Sequence, residues 1–152
     1  MAEVLTVELD LRWADTDQYG HVNNVSLVRL VEEARIRAIG LPDQPSGFGN
    51  PPPVLAALEP GTFTIVAGQR FEYRQELGYH GQRVLAELWF SQIGSRSVTL
   101  ACRLLDLSRT VEFLVATVTI VIMDAAARRP RALTDTESAH LARYLGPAVD
   151  FR

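Results

Sequence analysis

The fold is decided by residues 5–39, LTVELDLRWADTDQYGHVNNVSLVRLVEEARIRAI, because the hydrophobic period changes within this stretch. Across Leu5–Trp13, apolar and polar residues alternate, which is typical of a β-strand with one buried face. A polar, glycine-containing turn follows at residues 14–24, and beyond it the apolar residues recur with the period of a helix. We therefore predict a strand, a polar turn and then a helix at about 24–39.

The predicted helix has recognisable ends and an apolar stripe. Asn23 or Asn24 fits the N-cap position, and Gly40 followed by Pro42 fits the stop. The residues of the stripe are Leu27, Leu30, Val31, Ala34 and Ala38. This stripe predicts that the helix packs against a sheet along one side.

The rest of the chain is predicted to be a proline-rich loop, a run of strands and a short helix. The loop at 41–53 holds five prolines and two glycines, and it is either a lid or a loose connection. The predicted strands are 54–58, 62–75, 82–93, 96–107 and 110–124. The last of them is apolar on both faces, which predicts an interior position in the sheet. Thr134–Leu145 predicts an amphipathic helix, with Thr134 as cap and Glu137 completing a capping box.

These elements predict an α+β domain with a long helix and an antiparallel sheet of five or six strands. The length of 152 residues fits a single domain spanning 1–152. One helix shields only part of such a sheet, so apolar edge or face is left for a second subunit to cover. A homodimer or homotetramer is therefore expected.

Composition excludes several classes of function. The net charge is −3, and all 15 basic residues are arginine, so lysine-based catalysis and a P-loop lysine are absent. The lack of a basic block argues against nucleic-acid binding. The most apolar run, Val111–Met123, is too short and too polar to span a membrane, and the first residues do not resemble a signal peptide. A single cysteine, Cys102, fits a buried position in a cytoplasmic protein, and the histidines lack metal-ligand spacing.

The polar turn concentrates the groups that can do chemistry. It contains Asp15, Asp17, His21, Asn23 and Asn24. A helix N-terminus offers unpaired N–H groups and a positive dipole end, which suit an oxyanion that develops on a carbonyl. A carboxylate just upstream can attack the same carbonyl or activate water. The same residue types are also ordinary in turns and caps, so composition alone leaves both interpretations open.

The run WADTDQYGHVNN at 13–24, leading into Glu32-Glu33-Ala34-Arg35, resembles the hot-dog-fold acyl-CoA thioesterases, most closely the 4-hydroxybenzoyl-CoA thioesterase type. Its specific part is D-x-x-G-H-V-N-N at the start of the long helix, and a weaker likeness extends over nearly the whole chain. The resemblance implies a hot-dog fold, in which an antiparallel sheet wraps a long central helix. It also implies hydrolysis of an acyl-CoA thioester, with coenzyme A as part of the substrate rather than a cofactor.

By position in the motif, the resemblance assigns roles to individual residues. Asp17 matches the catalytic carboxylate, acting as nucleophile or general base. The backbone N–H of Asn24 would polarise the thioester carbonyl, while His21 and Asn23 would position the turn or the acyl group. Asp15 is expected to close the end of the strand.

Two positions depart from the family pattern, and one acidic pair has two interpretations. Leu27 stands where family members often have tyrosine, which changes the lining of the acyl pocket, and Gln82 replaces a common acidic residue. Glu32 and Glu33 could face a partner's site, as a helical glutamate does in some hot-dog enzymes. Arginines at helical spacing favour solvated ion pairs instead.

Arg128, Arg129 and Arg131 form the one basic cluster of the sequence. Because the guanidinium fork matches phosphate, they are candidates for binding the phosphates of coenzyme A, or else a solvated surface. Two other functions remain open: a non-catalytic module for acyl-CoA or acyl carrier protein, and an acyl-CoA hydratase or dehydratase. The latter enzymes space their Asp and His differently from Asp17 and His21.

Overall fold

The computed structural model describes residues 2–42 and 54–152. An antiparallel sheet curls around a long helix, which is the hot-dog arrangement expected from the motif. The strands are β1 (Leu5–Asp10), β2 (Thr62–Tyr73), β3 (Arg83–Ile93), β4 (Ser97–Leu105), β5 (Glu112–Asp124) and β6 (Arg129–Pro130), and the helices are α1 (Asn24–Ile39) and α2 (Asp135–Ala142). The sheet order is β1-β3-β4-β5-β2, with β6 beside β5. Within the described ranges, no helix is both long and apolar enough to cross a membrane.

Helix α1 begins and ends where the sequence predicts. Asn23 is the N-cap, and its side-chain oxygen accepts the N–H of Val25 at 2.9 Å. Gly40 ends the helix with a φ of 69°, a backbone conformation that a residue with a Cβ rarely adopts. The buried apolar residues of the helix are Leu27, Leu30, Val31, Ala34 and Ile39.

The core lies between α1 and the helix-facing side of the sheet. Alternate residues of β3, β4 and β5 fill it: Val84, Ala86, Leu88, Phe90, Leu100, Cys102, Leu104, Leu114, Ala116, Val118, Ile120 and Ile122. Burial raises the pKa of the Cys102 thiol to about 12, so this cysteine packs as a small apolar residue, as expected. Strand β5 lies between β4 and β2, which confirms its predicted interior position.

The predicted strand at 5–13 is too long. Strand β1 ends at Asp10, and Trp13–Asp15 forms a 3-10 turn. The physical reason is Asp15, whose carboxylate accepts the backbone N–H of Arg12 at 2.9 Å and the guanidinium of the same residue at 2.9 Å. Trp13 is consequently 77% exposed rather than on the buried face.

The predicted strand at 54–58 is wrong. Val54–Ala57 forms a 3-10 turn whose Val54 and Leu55 side chains are buried between α1 and α2. A short apolar run has no periodicity that separates strand from helix, so this distinction depended on packing. Most of the proline-rich loop, residues 43–53, lies outside the described residues.

Helix α2 begins with the predicted capping box. The Thr134 hydroxyl accepts the Glu137 N–H at 3.1 Å, and the Glu137 carboxylate accepts the Thr134 N–H at 2.9 Å. The same carboxylate accepts two hydrogen bonds from Arg131, at 2.8 and 2.7 Å, and the N–H of Glu59 at 3.0 Å. Glu137 therefore joins α2 to the end of the sheet.

Because Arg131 and these backbone N–H groups favour its charged form, the pKa of Glu137 is lowered from 4.5 to about 2. A carboxylate with a depressed pKa stabilises the fold above its unfolded-state pKa and loses that contribution as pH falls from about 4.5 toward 2. We expect Glu137→Gln to lower the free energy of unfolding by about 2 kcal/mol at neutral pH. It should also flatten the stability profile in the acid range. Urea unfolding measured across this range tests both effects, and an unchanged profile would contradict them.

Candidate active site

The turn between β1 and α1 packs against the chain that leaves β2, and the two segments line a cavity of about 380 Å³. Asp17, His21 and Asn24 line it from the turn, and residues 73–77 line it from the other side. Three of the four predicted catalytic residues are thus brought together in one cavity.

Backbone pairing holds the two walls of this cavity together. The Val22 N–H donates to the Leu77 carbonyl at 2.7 Å, and His21 forms an antiparallel bridge with Gly78. Gly20, with a φ of 77°, lets the turn reverse tightly between Asp17 and His21. These contacts therefore hold the motif turn and the segment after β2 side by side.

Asp17 is half-buried and held through one of its two oxygens. Its Oδ1 accepts the backbone N–H of Tyr19 at 2.9 Å and that of His21 at 3.3 Å. Among the described residues, none donates a hydrogen bond to Oδ2. The carboxylate is thereby oriented by the turn, while one oxygen remains available for a ligand or a water molecule.

Asn24 is the first residue of α1, where backbone N–H groups have no acceptor within the helix. Its neighbour Val25 is satisfied by the Asn23 cap, whereas the Asn24 N–H has no acceptor within 2–42 and 54–152. The positive end of the helix dipole adds to this donor. The cavity therefore combines a carboxylate with a donor suited to polarising a carbonyl oxygen.

The other two polar residues of the turn shape it from outside the cavity. Asn23 caps α1, and its backbone N–H donates to the Asp15 carbonyl at 2.7 Å. Asp15 is buried, which would raise its pKa, but hydrogen bonds from Arg12 outweigh burial and hold that pKa below its ordinary value. These contacts agree with the prediction that Asp15 closes the end of the strand.

The wall formed by residues 73–77 was not predicted from the sequence. It brings Glu76 to the motif, with its Oε2 3.4 Å from His21 Nε2. Long-range pairing, such as that of Val22 with Leu77, places this segment at the site, whereas the sequence predicts a strand that continues to residue 75. Leu27, at the position where the resembled family often has tyrosine, is buried and lines the same cavity.

The arginine cluster lies at the far end of the sheet. Arg131 bonds to Glu137 and Thr62, Arg128 lies over the Phe63 ring at 5.1 Å, and Arg129 is exposed. Strand β2 separates this end from the cavity by roughly 35 Å, at about 3.3 Å per residue. Within one chain the structure does not bring the cluster to Asp17, and its contact with coenzyme A stays a prediction.

The acidic pair on α1 forms ion pairs along the helix, as expected. Glu33 lies 2.7 Å from Arg37, and Glu32 lies 3.8 Å from Arg35. Both glutamates line a separate groove between α1 and β1 rather than the Asp17 cavity. Within one chain they take no part in the candidate site.

A family model described as the thioesterase-like superfamily matches residues 11–141 of the chain. This range contains the whole turn motif, α1 and most of α2. No curated protein sequence matches the chain.

Solved structures share the fold over most of its length. YbaW of Escherichia coli, described as a probable thioesterase, is similar with a TM-score of 0.73 and 18% identity, covering 93% of this chain and 99% of that one. A Staphylococcus aureus protein crystallised with CoA has a TM-score of 0.74 at 12% identity, covering 100% and 91%. A proposed acyl-CoA thioesterase from Xanthomonas campestris is 28% identical, with a TM-score of 0.59 and coverage of 78% and 92%.

Proposed function

Since the chain belongs to the thioesterase-like superfamily, and is on that basis a thioester hydrolase, we propose that it hydrolyses acyl-CoA to a free acid and coenzyme A. The observation that carries the proposal is the shared cavity of Asp17 and the N-terminus of α1. The likeness to the proposed acyl-CoA thioesterase of X. campestris supports coenzyme A as the carrier.

The mechanism uses the two groups that the motif turn brings to the same cavity, Asp17 and the Asn24 N–H. The thioester oxygen accepts the Asn24 N–H, and the helix dipole stabilises the negative charge that develops there. Asp17 then either attacks the carbonyl carbon, giving an anhydride that water hydrolyses, or removes a proton from the water that attacks. In both routes the carbon–sulfur bond breaks and coenzyme A leaves as the thiol after taking up a proton.

The remaining residues of the motif act through position. The backbone N–H of His21 orients Asp17, and the His21 imidazole lies 3.4 Å from the Glu76 carboxylate, which also lines the cavity. Asn23 holds the first turn of α1 in place, and with it the Asn24 N–H. The apolar side chains of Val22, Leu27, Tyr73 and Leu77 give the acyl group an apolar surface.

Because Arg131 is already hydrogen-bonded to Glu137, Arg128 and Arg129 are the residues of the cluster that would bind the phosphates of coenzyme A. Their distance from Asp17 of the same chain means that they would serve a site on another copy. Titrating coenzyme A into a variant with both arginines replaced by glutamine tests this role, and unchanged affinity would exclude it.

We also propose that copies of the chain associate through the outer edge of β2. In the described part of the chain, no strand pairs with this edge, and Ile65 and Val66 beside it are 45% and 40% exposed. An unpaired apolar edge strand is a ready surface for a second chain. Light scattering should show a dimer or tetramer for the wild type and a shift toward the monomer for Val66→Lys. A monomeric wild type would contradict the proposal.

Thiol release from a panel of aromatic, short-chain and long-chain acyl-CoAs, together with one acyl carrier protein thioester, tests the proposed function. Enzyme-dependent release of free thiol supports it and identifies the acyl group. Tight binding without thiol release would favour a binding module. Gain or loss of a double bond without thiol release would favour a hydratase or dehydratase.

A further inference from the structure

Residues 144–152, here called the strap, lie on the face of the sheet opposite α1. The strap begins beside β3, where the Phe90 N–H donates to the Tyr144 carbonyl and the Gly146 N–H donates to the Phe90 carbonyl, both at 2.8 Å. The Trp89 indole N–H donates to the Pro147 carbonyl at 2.7 Å. Trp89 alternates with the buried Leu88 and Phe90, which places it on the outer face of the sheet.

The strap ends on β2, at the opposite edge of the sheet. The Arg74 guanidinium donates to the Asp150 carbonyl at 2.6 Å, and the Arg152 N–H donates to a Glu72 carboxylate oxygen at 2.9 Å. Between these contacts, the Arg70 guanidinium lies 4.1 Å from the centre of the Phe151 ring. The strap therefore connects β3 to the last residues of β2.

The Arg74 side chain, which the strap contacts through Asp150, is nearly buried. Its Nε lies 2.9 Å from Glu72 Oε1 and 3.9 Å from Glu112 Oε1, and the Arg74 side chain is 14% exposed. The Nε and that Glu72 oxygen are poorly aligned for a hydrogen bond with each other. The backbone N–H of Arg74 donates to the Phe113 carbonyl at 2.8 Å, and its guanidinium donates to the Asp150 carbonyl. Because a partly buried guanidinium needs good acceptors, Asp150 contributes to holding the Arg74 side chain in place.

The same arginine belongs to the wall of the candidate site. Arg74 lines the cavity with Tyr73 and Glu76, opposite Asp17. Three residues further on, the Leu77 carbonyl pairs with the motif turn. Direct contacts thus lead from the strap through Arg74 and the wall to the catalytic turn.

We propose that the strap is a positioning element of the thioesterase site: Asp150 holds Arg74 and Phe151 holds Arg70, and together they fix the end of β2 and the 73–77 wall opposite Asp17. This inference rests on the proposed function, because the wall matters to catalysis only if substrate binds between it and Asp17. In the proposed function the wall lies beside the substrate, away from the reacting bond, while the Asp17 carboxylate is oriented by hydrogen bonds within its own turn. Loosening the strap should therefore weaken substrate binding more than it slows the chemical step.

Gly146→Ala is the first variant to test. An added Cβ would lie 2.5 Å from Trp89 Cδ1, so the strap and the Trp89 ring must move apart. The chain has two tryptophans, and in a Trp13→Phe background the emission of Trp89 reports this separation. We expect a red shift and a rise in KM on the order of 10-fold, with kcat within about 3-fold of the wild type.

Phe151 supplies a matched pair of variants. Phe151→Ala removes the ring that packs on Arg70 and should raise KM, whereas Phe151→Tyr keeps the ring and should restore the wild-type KM. Deletion of residues 146–152 removes the strap outright and should raise KM at least as far. A purely structural role would instead lower the amount of active protein, and hence the apparent kcat, without moving KM.

An unchanged KM in the Phe151→Ala and deletion variants would overturn the proposal, as would an unchanged KM in Gly146→Ala with Trp89 emission shifted. Absence of thiol release by the wild type is a different outcome. It would refute the proposed function, and the positioning role with it, before any strap variant is compared.

Discussion

Replacing Asp17 with asparagine should lower kcat for thiol release by about three orders of magnitude, because the carboxylate that attacks the carbonyl or activates water is lost. The fold should survive, since the amide oxygen of asparagine can accept the same N–H groups of Tyr19 and His21. Steady-state kinetics and a thermal melt of the same preparation measure the two effects separately.

Asp15→Asn is the matched control for this variant. Asp15 is buried and bonds to Arg12, and it does not line the Asp17 cavity. We expect this change to lower the melting temperature while leaving the kcat of the folded protein within about 3-fold of the wild-type value. An equal loss of kcat in folded Asp15→Asn would mean that the assignment of Asp17 is wrong.

The second large effect is expected from Asn24→Pro, because proline has no backbone N–H. Asn24 occupies the first position of α1, where proline is well tolerated, and Asn23 has φ −63° and ψ 144°, which suit the residue before a proline. The helix should therefore form while the proposed oxyanion donor is missing. Loss of one such donor should lower kcat by about 10²- to 10³-fold.

Asn24→Ala separates the backbone from the side chain, because it keeps the N–H and removes the amide group. We expect its kcat to stay close to the wild-type value, with circular dichroism showing the same helix content in both variants. A Pro variant as active as the Ala variant would show that the Asn24 N–H does not hold the oxyanion.

Much of the fold could be predicted because its signals are local. Helix α1 was bounded correctly by the Asn23 cap and Gly40, and the capping box marked the start of α2, whose end at Ala142 comes three residues before the predicted Leu145. The exposure of Trp13 could not be predicted, because alternation continues past the point where Asp15 bonds to Arg12 and turns the chain. Periodicity describes a strand but does not indicate which side chain will end it.

In the candidate site, too, the part built from local sequence could be predicted and the part built from long-range contacts could not. Its motif wall is a continuous run of sequence, so the sequence could predict that Asp17 and Asn24 lie in the same turn. The opposite wall at 73–77 depends on hydrogen bonds between residues far apart in the chain, such as that of Arg74 with Asp150. The same holds for the arginine cluster, because the sequence shows three neighbouring positive charges but not that Arg131 is bonded to Glu137.

The central claim is that Asp17, in the turn that precedes α1, is the carboxylate that hydrolyses an acyl-CoA thioester. Its most direct test is the rate of thiol release from the preferred acyl-CoA, measured side by side for the wild type and for folded Asp17→Asn at saturating substrate. The claim predicts steady turnover by the wild type and a rate about 10³-fold lower for the variant. Equal rates for the two proteins, or no thiol release by the wild type from any acyl-CoA, would contradict it.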